Sequence, residues 1–246
     1  MCRVAITLLF AVAAGAAEPV SHMDRSVCLQ SAEARPRGVR GSLGTAFVLD
    51  DGGRLLLCTN AHVAEDTNAE TRLTLRTPAG EGHTAKLGGL IEAGRSPWTV
   101  DKSHDLAVAT LDGKDAETIT LLRVLATPLG HVEAEAPPRG ALIHLVGFPG
   151  GKSVFDAASA TVLSARVASR VVTSRGNWGE VPTYYATPPM SVGGSGSPAY
   201  APDADPPRIV GVVWAYSRDE IGANYTKVVP PAALRRLVES TRPAGP

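Results

Sequence analysis

The chain has 246 residues and a mass of 25.5 kDa, and its 24 basic and 24 acidic side chains give a formal net charge of zero. This length suffices for one large domain or two smaller packed ones. The balanced charge gives no electrostatic reason to expect a nucleic acid or an anionic membrane as partner. The 25 glycines and 19 prolines together make 44 of the 246 residues. Without a collagen-like period, this excess favours many turns between short strands, and therefore an all-β chain.

The N-terminus has the parts of a secretory signal peptide. Arg3 supplies a positive charge, residues 4–14 are apolar, and small residues allow cleavage near Ala16 or Ala17. The apolar run is shorter than the about 20 residues that a membrane-spanning helix needs. We therefore expect residues 1–17 to be removed from a bacterial protein that is secreted or periplasmic and keeps no integral membrane segment. A buried N-terminal helix is the alternative.

Removal of this segment takes Cys2 with it and leaves Cys28 and Cys58. An exported protein permits disulfides, but two cysteines in a chain of this length are not a disulfide scaffold. We expect two buried thiols, with a Cys28–Cys58 bridge as the alternative. Neither cysteine has CxxC spacing, and the histidines lack HExxH or similar spacing, so no metal and no cofactor are expected.

Short apolar runs separated by Gly, Pro and Asp predict strands along the chain. A strand over 45–49, a turn over 50–53 and a strand over 54–58 predict a hairpin. Further strands are expected at 72–76, 84–91, 106–111, 141–147, 160–167, 183–186 and 209–215. No long helical period interrupts them.

Two segments interrupt this pattern of strands. The segment 128–140 contains three prolines and several charges, and it is interpreted as a linker between two halves of similar size. Near the end of the chain, Pro230 and Pro231 precede apolar residues at helical spacing, which predicts a helix over 231–240 packed on the second half.

Two residues beside predicted strands suit catalysis. His62 follows the strand that ends at Cys58, where a histidine can project into a cleft and act as a general base. Asp105 heads the alternating strand that begins at Leu106. Taken alone, a structural histidine and a turn aspartate are the simpler interpretations.

A third candidate is the segment Gly193-Gly-Ser-Gly-Ser-Pro198. Glycines on both sides of Ser195 permit a tight backbone path that places two N–H groups beside one hydroxyl. Such donors stabilise the oxyanion that develops during acyl transfer. By itself the segment could be an ordinary Gly/Ser-rich loop, but its combination with His62 and Asp105 favours nucleophilic catalysis.

The motifs Thr59-Asn-Ala-His62, His104-Asp-Leu-Ala-Val108 and 193–198 resemble those of chymotrypsin-fold (trypsin-like) serine proteases. Their order, His then Asp then Ser, is that of chymotrypsin. The Gly-Ser-Pro ending is similar to the glutamyl endopeptidase and HtrA protease-domain branch of bacterial enzymes. Supporting matches lie at 44–48, 146–151, 210–214 and 222–228.

The resemblance implies an all-β fold of two six-stranded antiparallel Greek-key β-barrels with a C-terminal α-helix. The first barrel would carry the His and Asp, and the second would carry the Ser, the oxyanion hole, the pocket and the helix 231–240. No PDZ-like regulatory domain is expected after residue 240. The implied divisions are signal peptide 1–17, first barrel 18–127, linker 128–140 and second barrel 141–246.

The resemblance also assigns roles. Ser195 matches the nucleophile, His62 the general base, and Asp105 the acid that orients His62. The N–H groups of Gly193 and Ser195 match the oxyanion hole, and Ser197 is the alternative nucleophile. The expected function is a secreted serine endopeptidase acting on proteins or peptides, and a catalytically inactive binding protein or an esterase on the same fold are the alternatives.

Departures from the family pattern bear on activation and specificity. Gly194 stands where trypsin-like zymogens have the Asp that receives a freed N-terminus, so activation by that ion pair is not expected. The segment 187–192 contains no acid, which argues against cleavage after Arg or Lys. Val213 stands where glutamyl endopeptidases have a His. The expected pocket residues predict a small or apolar P1 side chain; they are Met190, Val213, Trp214, Ala215 and Tyr216.

His104 directly precedes the catalytic Asp candidate but is not expected to belong to the triad. Adjacent residues of a strand point to opposite faces, so His104 should face away from Asp105.

Overall fold

The computed structural model describes residues 21–35, 38–91, 97–149, 159–204, 206–218 and 224–243. The expected signal peptide, residues 1–17, lies outside these ranges, as do residues 150–151 and 222–223 of two supporting motifs. Within the described ranges, no helix is both long and apolar enough to span a bilayer.

The first half of the chain forms one sheet. Its strands are β1 (Ser26–Arg35), β2 (Gly38–Asp51), β3 (Arg54–Thr59), β4 (Arg72–Arg76), β5 (Gly82–Lys86), β6 (Thr99–Asp101), β7 (Leu106–Thr110) and β8 (Thr127–Pro128). They lie in the order β5-β4-β1-β2-β3-β7-β6 with antiparallel neighbours, and β8 pairs with β2 in parallel. Three short helices accompany them: α1 (Ala61–Glu65), α2 (Leu87–Leu90) and α3 (Ala116–Leu125).

The second half forms a second antiparallel sheet followed by helix α4 (Pro231–Ser240). Its strands lie in the order β10-β9-β13-β14-β15-β12-β11, and an additional β10–β12 pairing closes six of them into a barrel. Their bounds are β9 (Leu142–Gly147), β10 (Thr161–Val167), β11 (Val172–Gly176), β12 (Gly179–Thr187), β13 (Pro198–Ala201), β14 (Arg208–Arg218) and β15 (Asn224–Val229). The predicted all-β, chymotrypsin-like class is confirmed; within the described ranges, the two sheets have eight and seven strands where six each were expected.

Two local predictions in the first half are wrong. Helix α3 forms where no helix was expected, because Asp115 caps it by accepting a hydrogen bond from the Thr118 amide at 3.1 Å and Leu122 and Leu125 are buried. The expected strand 84–91 ends at Lys86. The next apolar residues, Leu87 and Leu90, are three positions apart, and both are buried because the chain forms one helical turn there, α2.

The segment 128–140 is not a loose connector in the structure. Val132 is fully buried and forms a parallel bridge with Ile209 of β14. The amide of Glu133 donates to the Ile209 carbonyl at 2.8 Å, and the amide of Gly140 donates to the Val167 carbonyl at 2.8 Å. Backbone hydrogen bonds therefore hold the segment along the second sheet.

One apolar cluster joins the two sheets. It contains Phe47, Leu49, Leu106 and Val108 from the first sheet, Tyr200, Val212 and Trp214 from the second, and Leu234, Leu237 and Val238 from α4. Helix α4, expected to pack on the second half, therefore also packs against the first. The Arg54 guanidinium strengthens this contact by donating to the Thr241 carbonyl at 2.7 Å.

Asp51, at the end of β2, ties this C-terminal region to the first sheet. Its carboxylate accepts hydrogen bonds from Arg242 at 2.6 Å and from Arg54 at 2.8 Å. The bond from Arg242, with that from Arg54, outweighs the opposite effect of burial and lowers the pKa of Asp51 from 3.8 to about 2. Because the pKa of Asp51 is lower in the folded protein, its ionised carboxylate stabilises the fold. This stabilisation is complete at a pH above the unfolded-state pKa of 3.8 and is lost as the pH falls through about 2.

The substitution Asp51→Asn should therefore lower the Tm at neutral pH by a few degrees, because it removes the charge from both contacts. It should also reduce the loss of stability seen between pH 3.8 and about 2. Thermal denaturation over a pH series measures both. Glu70→Gln is the control, because its ion pair with Lys86 is largely exposed and exposed pairs contribute little. Equal Tm values for the two variants would contradict this role of Asp51.

Candidate active site

His62, Asp105 and Ser195 line one cleft, and the strand pairing explains how the first two meet. His62 lies in α1 directly after β3, and Asp105 directly precedes β7. Because β3 and β7 are paired, with Thr59 opposite Ala107, the residues that follow β3 and precede β7 are neighbours. Ser195 reaches the same cleft from the loop before β13 of the second sheet.

Asp105 holds His62 through two hydrogen bonds. The Nδ1 atom of His62 lies 2.8 Å from Oδ2 of Asp105, and the His62 amide donates to Oδ1 at 3.0 Å. Asp105 is only 3% exposed, so its carboxylate requires these donors in place of water. With Nδ1 donating to the carboxylate, a neutral imidazole has Nε2 as its acceptor.

The backbone at Asp105 is strained, since its φ of 51° lies in the left-handed region that non-glycine residues rarely adopt. The Asn60 amide group donates to the Asp105 carbonyl at 2.9 Å and helps to hold this conformation. Strain of this kind, when neighbouring bonds enforce it, is common at functional sites.

The glycines around Ser195 are required by the backbone. Gly193 and Gly196 have φ of 93° and 87°, in the left-handed region. A Cβ atom on Gly196 would overlap the Thr45 carbonyl, and one on Gly194 would lie 2.6 Å from the Met190 side chain. The backbone path therefore requires glycine at 193 and 196, whereas a side chain at 194 would require Met190 to move.

The polar groups of the loop are arranged around Ser195. Its hydroxyl donates to the Trp214 carbonyl at 3.3 Å, while His62 lines the same cleft. The amides of Gly193 and Ser195 donate to no acceptor among the residues that the structure describes. Within the described part of the chain, these two amides are therefore not committed to another acceptor.

Ser197, the alternative nucleophile, does not lie at the cleft surface. It is fully buried, and its hydroxyl has no hydrogen-bond partner within the described part of the chain. Its amide donates to the Gly194 carbonyl at 3.0 Å and its carbonyl accepts from the Val213 amide at 2.8 Å. Ser197 therefore acts as a structural residue of the loop.

His104 forms a separate pair with Asp101. Its Nδ1 atom lies 2.7 Å from Oδ2 of Asp101, and Arg236 of α4 approaches its Nε2 atom at 3.4 Å. Although burial acts in the opposite direction, hydrogen bonds from Ser103 and His104 keep the pKa of Asp101 below its ordinary value. His104 was expected to face away from Asp105 because neighbouring strand residues alternate between faces. This reason is wrong, because His104 and Asp105 both lie in the turn before β7 and not within a strand.

All five residues expected in the pocket line the cleft beside Ser195, together with Ser191 and Val192 of the segment 187–192 and with Asn177, which was not expected there. Asn177 lies in the turn between β11 and β12, where the sequence shows only a turn. Met190 and Val213 are buried, whereas Tyr216 is 52% and Val192 66% exposed. Among the described residues that line the cleft, the only carboxylate is that of Asp105.

The indole of Trp214 is largely removed from solvent. It is 6% exposed, its N–H donates to the Thr183 hydroxyl at 3.0 Å, and the Lys227 ammonium lies 5.0 Å from the ring centre. The indole therefore acts mainly in packing, while its backbone carbonyl faces Ser195.

Cys28 and Cys58 are buried free thiols, which confirms the expectation of two unpaired cysteines. Burial raises the pKa of Cys28 to about 12, so this thiol is not a nucleophile at neutral pH. Across the described ranges, no three His, Cys, Asp or Glu side chains are grouped as a metal ion would require.

Comparison with known proteins decides the family. The model of the family described as "Trypsin-like peptidase domain" matches residues 44–212, well over half of the chain. The chain belongs to the trypsin-like peptidase family. As a trypsin-like peptidase of this fold, it is a serine endopeptidase. A search of curated protein sequences gives no match.

Solved structures resemble this trypsin-like peptidase along most of its length. The Rv3671c protease from M. tuberculosis, in its active form, is 22% identical with a TM-score of 0.59, over 91% of this chain and 85% of that one. The MamO protease domain from Magnetospirillum magneticum is 14% identical with a TM-score of 0.61, over 91% and 98%. The HtrA-type protease AlgW with tripeptide is 21% identical with a TM-score of 0.57, over 89% and 60%. At these identities, the likeness establishes the fold.

Proposed function

We propose that this peptidase cleaves peptide bonds through an acyl-enzyme formed on Ser195, with His62 as general base and Asp105 as the residue that orients it. The observation that carries the proposal is the imidazole of His62, held by a buried carboxylate at 2.8 Å on one side and lining the cleft of Ser195 on the other. This is the arrangement that activates a serine hydroxyl.

The chemistry follows from these positions. The Ser195 Oγ attacks the scissile carbonyl carbon while Nε2 of His62 takes the hydroxyl proton and later delivers it to the leaving amine. Water then attacks the acyl carbon and gives a proton to His62, which returns it to Oγ of Ser195 as the acyl–oxygen bond breaks and the carboxylic acid product leaves. Asp105 keeps the proton on Nδ1 and stabilises the imidazolium, and the amides of Gly193 and Ser195 donate to the oxyanion.

One rotation must precede the attack. The Ser195 hydroxyl donates to the Trp214 carbonyl in the structure, so it has to turn about its Cα–Cβ bond toward His62. Catalytic hydrogen bonds are often long or misaligned before substrate binds. The rotation is therefore part of the proposed mechanism.

We also propose a small or apolar P1 preference. The buried walls of the cleft include Met190 and Val213, and neither side chain can pair with a charged P1 group. A charged side chain without a partner would lose its hydration on entering such a pocket.

Export is the third part of the proposal, and it rests on residues 1–17 of the sequence. An exported peptidase would lose this segment near Ala16 or Ala17. The mass of the mature protein recovered from the periplasm or medium of a bacterial host reports the cleavage directly.

Reaction with a fluorophosphonate probe tests the nucleophile. Wild type should gain one adduct at Ser195, and Ser195→Ala should gain none, because the activated hydroxyl is the reacting group. Ser197→Ala is the matched control and should label like wild type, because Ser197 is buried. Intact-mass spectra of the exported protein measure the adduct together with the mature N-terminus. Folded wild type that does not label would favour the inactive binding protein, and a mass that includes residues 1–17 would contradict export.

The two His–Asp pairs allow a matched test of the orienting carboxylate. Asp105→Asn should lower kcat by about 10⁴, because an amide no longer selects the required imidazole tautomer. Asp101→Asn removes the charge of the partner of His104 and should leave kcat near the wild-type value. Steady-state kinetics on one peptide substrate measures both, and similar losses in the two variants would contradict the role of Asp105.

Digestion of a peptide library, followed by mass spectrometry of the products, tests the pocket. Cleavage should follow small or apolar residues, with no enrichment of Arg, Lys or Glu at P1. A basic P1 preference would contradict the interpretation, since the cleft has no carboxylate other than Asp105 among its described lining residues. The Ser195→Ala protein is the control for contaminating proteases.

A further inference from the structure

We propose that Thr45, a residue of the first sheet, is the positioning residue that holds the oxyanion loop of the second sheet in its working shape. This inference rests on the proposed function, because it concerns the same loop. Thr45 lies in β2, is fully buried and does not line the cleft. It would therefore act through the loop and not on the substrate.

Thr45 forms hydrogen bonds to the loop at two points. Its hydroxyl donates to the Gly193 carbonyl at 2.9 Å, and its amide donates to the Ser195 carbonyl at 2.8 Å. The loop conformation thus depends on a side chain and a backbone group of one residue from the other sheet.

The direction of the hydroxyl bond is determined by a third partner. The Phe148 amide donates to the Thr45 hydroxyl oxygen at 3.0 Å. An amide can only donate, so the single hydroxyl proton is left for the Gly193 carbonyl. The Thr45 carbonyl also accepts from the Thr59 hydroxyl at 2.7 Å, so the residue is itself fixed on both sides.

The hydrogen bond from Thr45 to the Gly193 carbonyl lies between the two amides proposed to bind the oxyanion. The Gly193 carbonyl belongs to the peptide group between Gly193 and Gly194, and the other end of this group is also held, because the Gly194 amide donates to the Ser191 carbonyl at 3.1 Å. The two proposed oxyanion donors, the amides of Gly193 and Ser195, belong to the peptide groups directly before and after it. A peptide group that is fixed at both ends limits the rotation of its two neighbours.

This arrangement gives Thr45 a role that a freed N-terminus has in trypsin-like zymogens. Gly194 has no side chain to receive such a terminus, and the space that a Cβ would need is occupied by Met190. Here the loop is supported by a neutral hydroxyl that is part of the fold. The oxyanion donors can therefore be in place without an ion pair at residue 194.

Thr45→Val tests the hydroxyl, because valine nearly keeps the shape of threonine and cannot donate. Loss of one oxyanion donor costs about 10²–10³ in kcat, so a loop that is only partly displaced should lower kcat by about 10-fold to 100-fold with little change in KM. Thr45→Ser should restore most of kcat. Thr71→Val is the matched control, since Thr71 is equally buried and its hydroxyl also accepts a backbone amide, that of Asn68 at 2.8 Å.

A second readout separates positioning from general destabilisation. A peptide aldehyde adds to Ser195, its carbonyl carbon bonding to Oγ while the hydroxyl proton passes to His62, and its oxygen then occupies the oxyanion hole. Its inhibition constant should weaken in Thr45→Val by about the factor lost in kcat. Peptide binding to the same variant in a Ser195→Ala background, which forms no adduct, should not change.

The outcomes are distinct. Equal kcat in Thr45→Val and Thr71→Val, or a change in KM alone, would overturn the role of Thr45 while leaving an active peptidase. Wild type that neither labels nor cleaves would refute the proposed function itself, and the inference with it. If Thr45→Val does not fold, Thr45→Ala, which also lacks the hydroxyl, is measured in the same way against Thr71→Ala.

Discussion

The cleft depends on the contact between the two sheets. Each sheet has an apolar cluster of its own, but a third cluster takes side chains from both sheets and from α4, and its residues are buried only because the two halves pack together. His62 and Asp105 come from one sheet and Ser195 from the other, and their separation is therefore set by this packing. Because protein interiors are densely packed, a contact of this kind resists small displacements. A rigid interface is what a site shared between two halves of a chain needs.

Hydrogen bonds across the same interface refine what the apolar contact begins. The hydroxyl and amide of Thr45 hold two carbonyls of the glycine loop, and the Ser26 hydroxyl donates to the Val146 carbonyl at 2.8 Å. These groups are buried, so leaving one unpaired would be costly, and each bond therefore specifies one relative position of the sheets. Apolar packing therefore stabilises the contact between the two sheets, and the directional hydrogen bonds determine the relative position of the sheets.

Much of the site could be predicted from the sequence, because its motifs have strict local requirements. A loop with left-handed backbone at Gly193 and Gly196 requires glycine, and a histidine directly after a buried strand is a visible feature. Strand β1 was missed, although it pairs with both β2 and β4. Its alternation is short, and β4, one of its two partners, is distant in the chain. Helix α3 was missed because only its cap, Asp115, marks it clearly.

The pocket and the surroundings of the triad could not be predicted to the same extent. Asn177 reaches the cleft from the turn of the β11–β12 hairpin, and nothing in that turn indicates which cavity it faces. Trp214 lines the cleft as expected, but the sequence does not indicate that its indole packs beneath Lys227 and against Thr183. Side-chain direction depends on which neighbours compete for the same space, and these neighbours come from other strands.

By itself, the sequence determined the all-β class, the terminal helix and the residues that carry the proposed chemistry, because each depends on local backbone geometry or on a short motif. Only the tertiary structure decided that Ser195 and not Ser197 faces the cleft, that His104 pairs with Asp101, and that Thr45 reaches the oxyanion loop. Each of these depends on contacts between residues far apart in the chain. Such contacts follow from how two sheets pack in three dimensions, and no local pattern along the sequence records them.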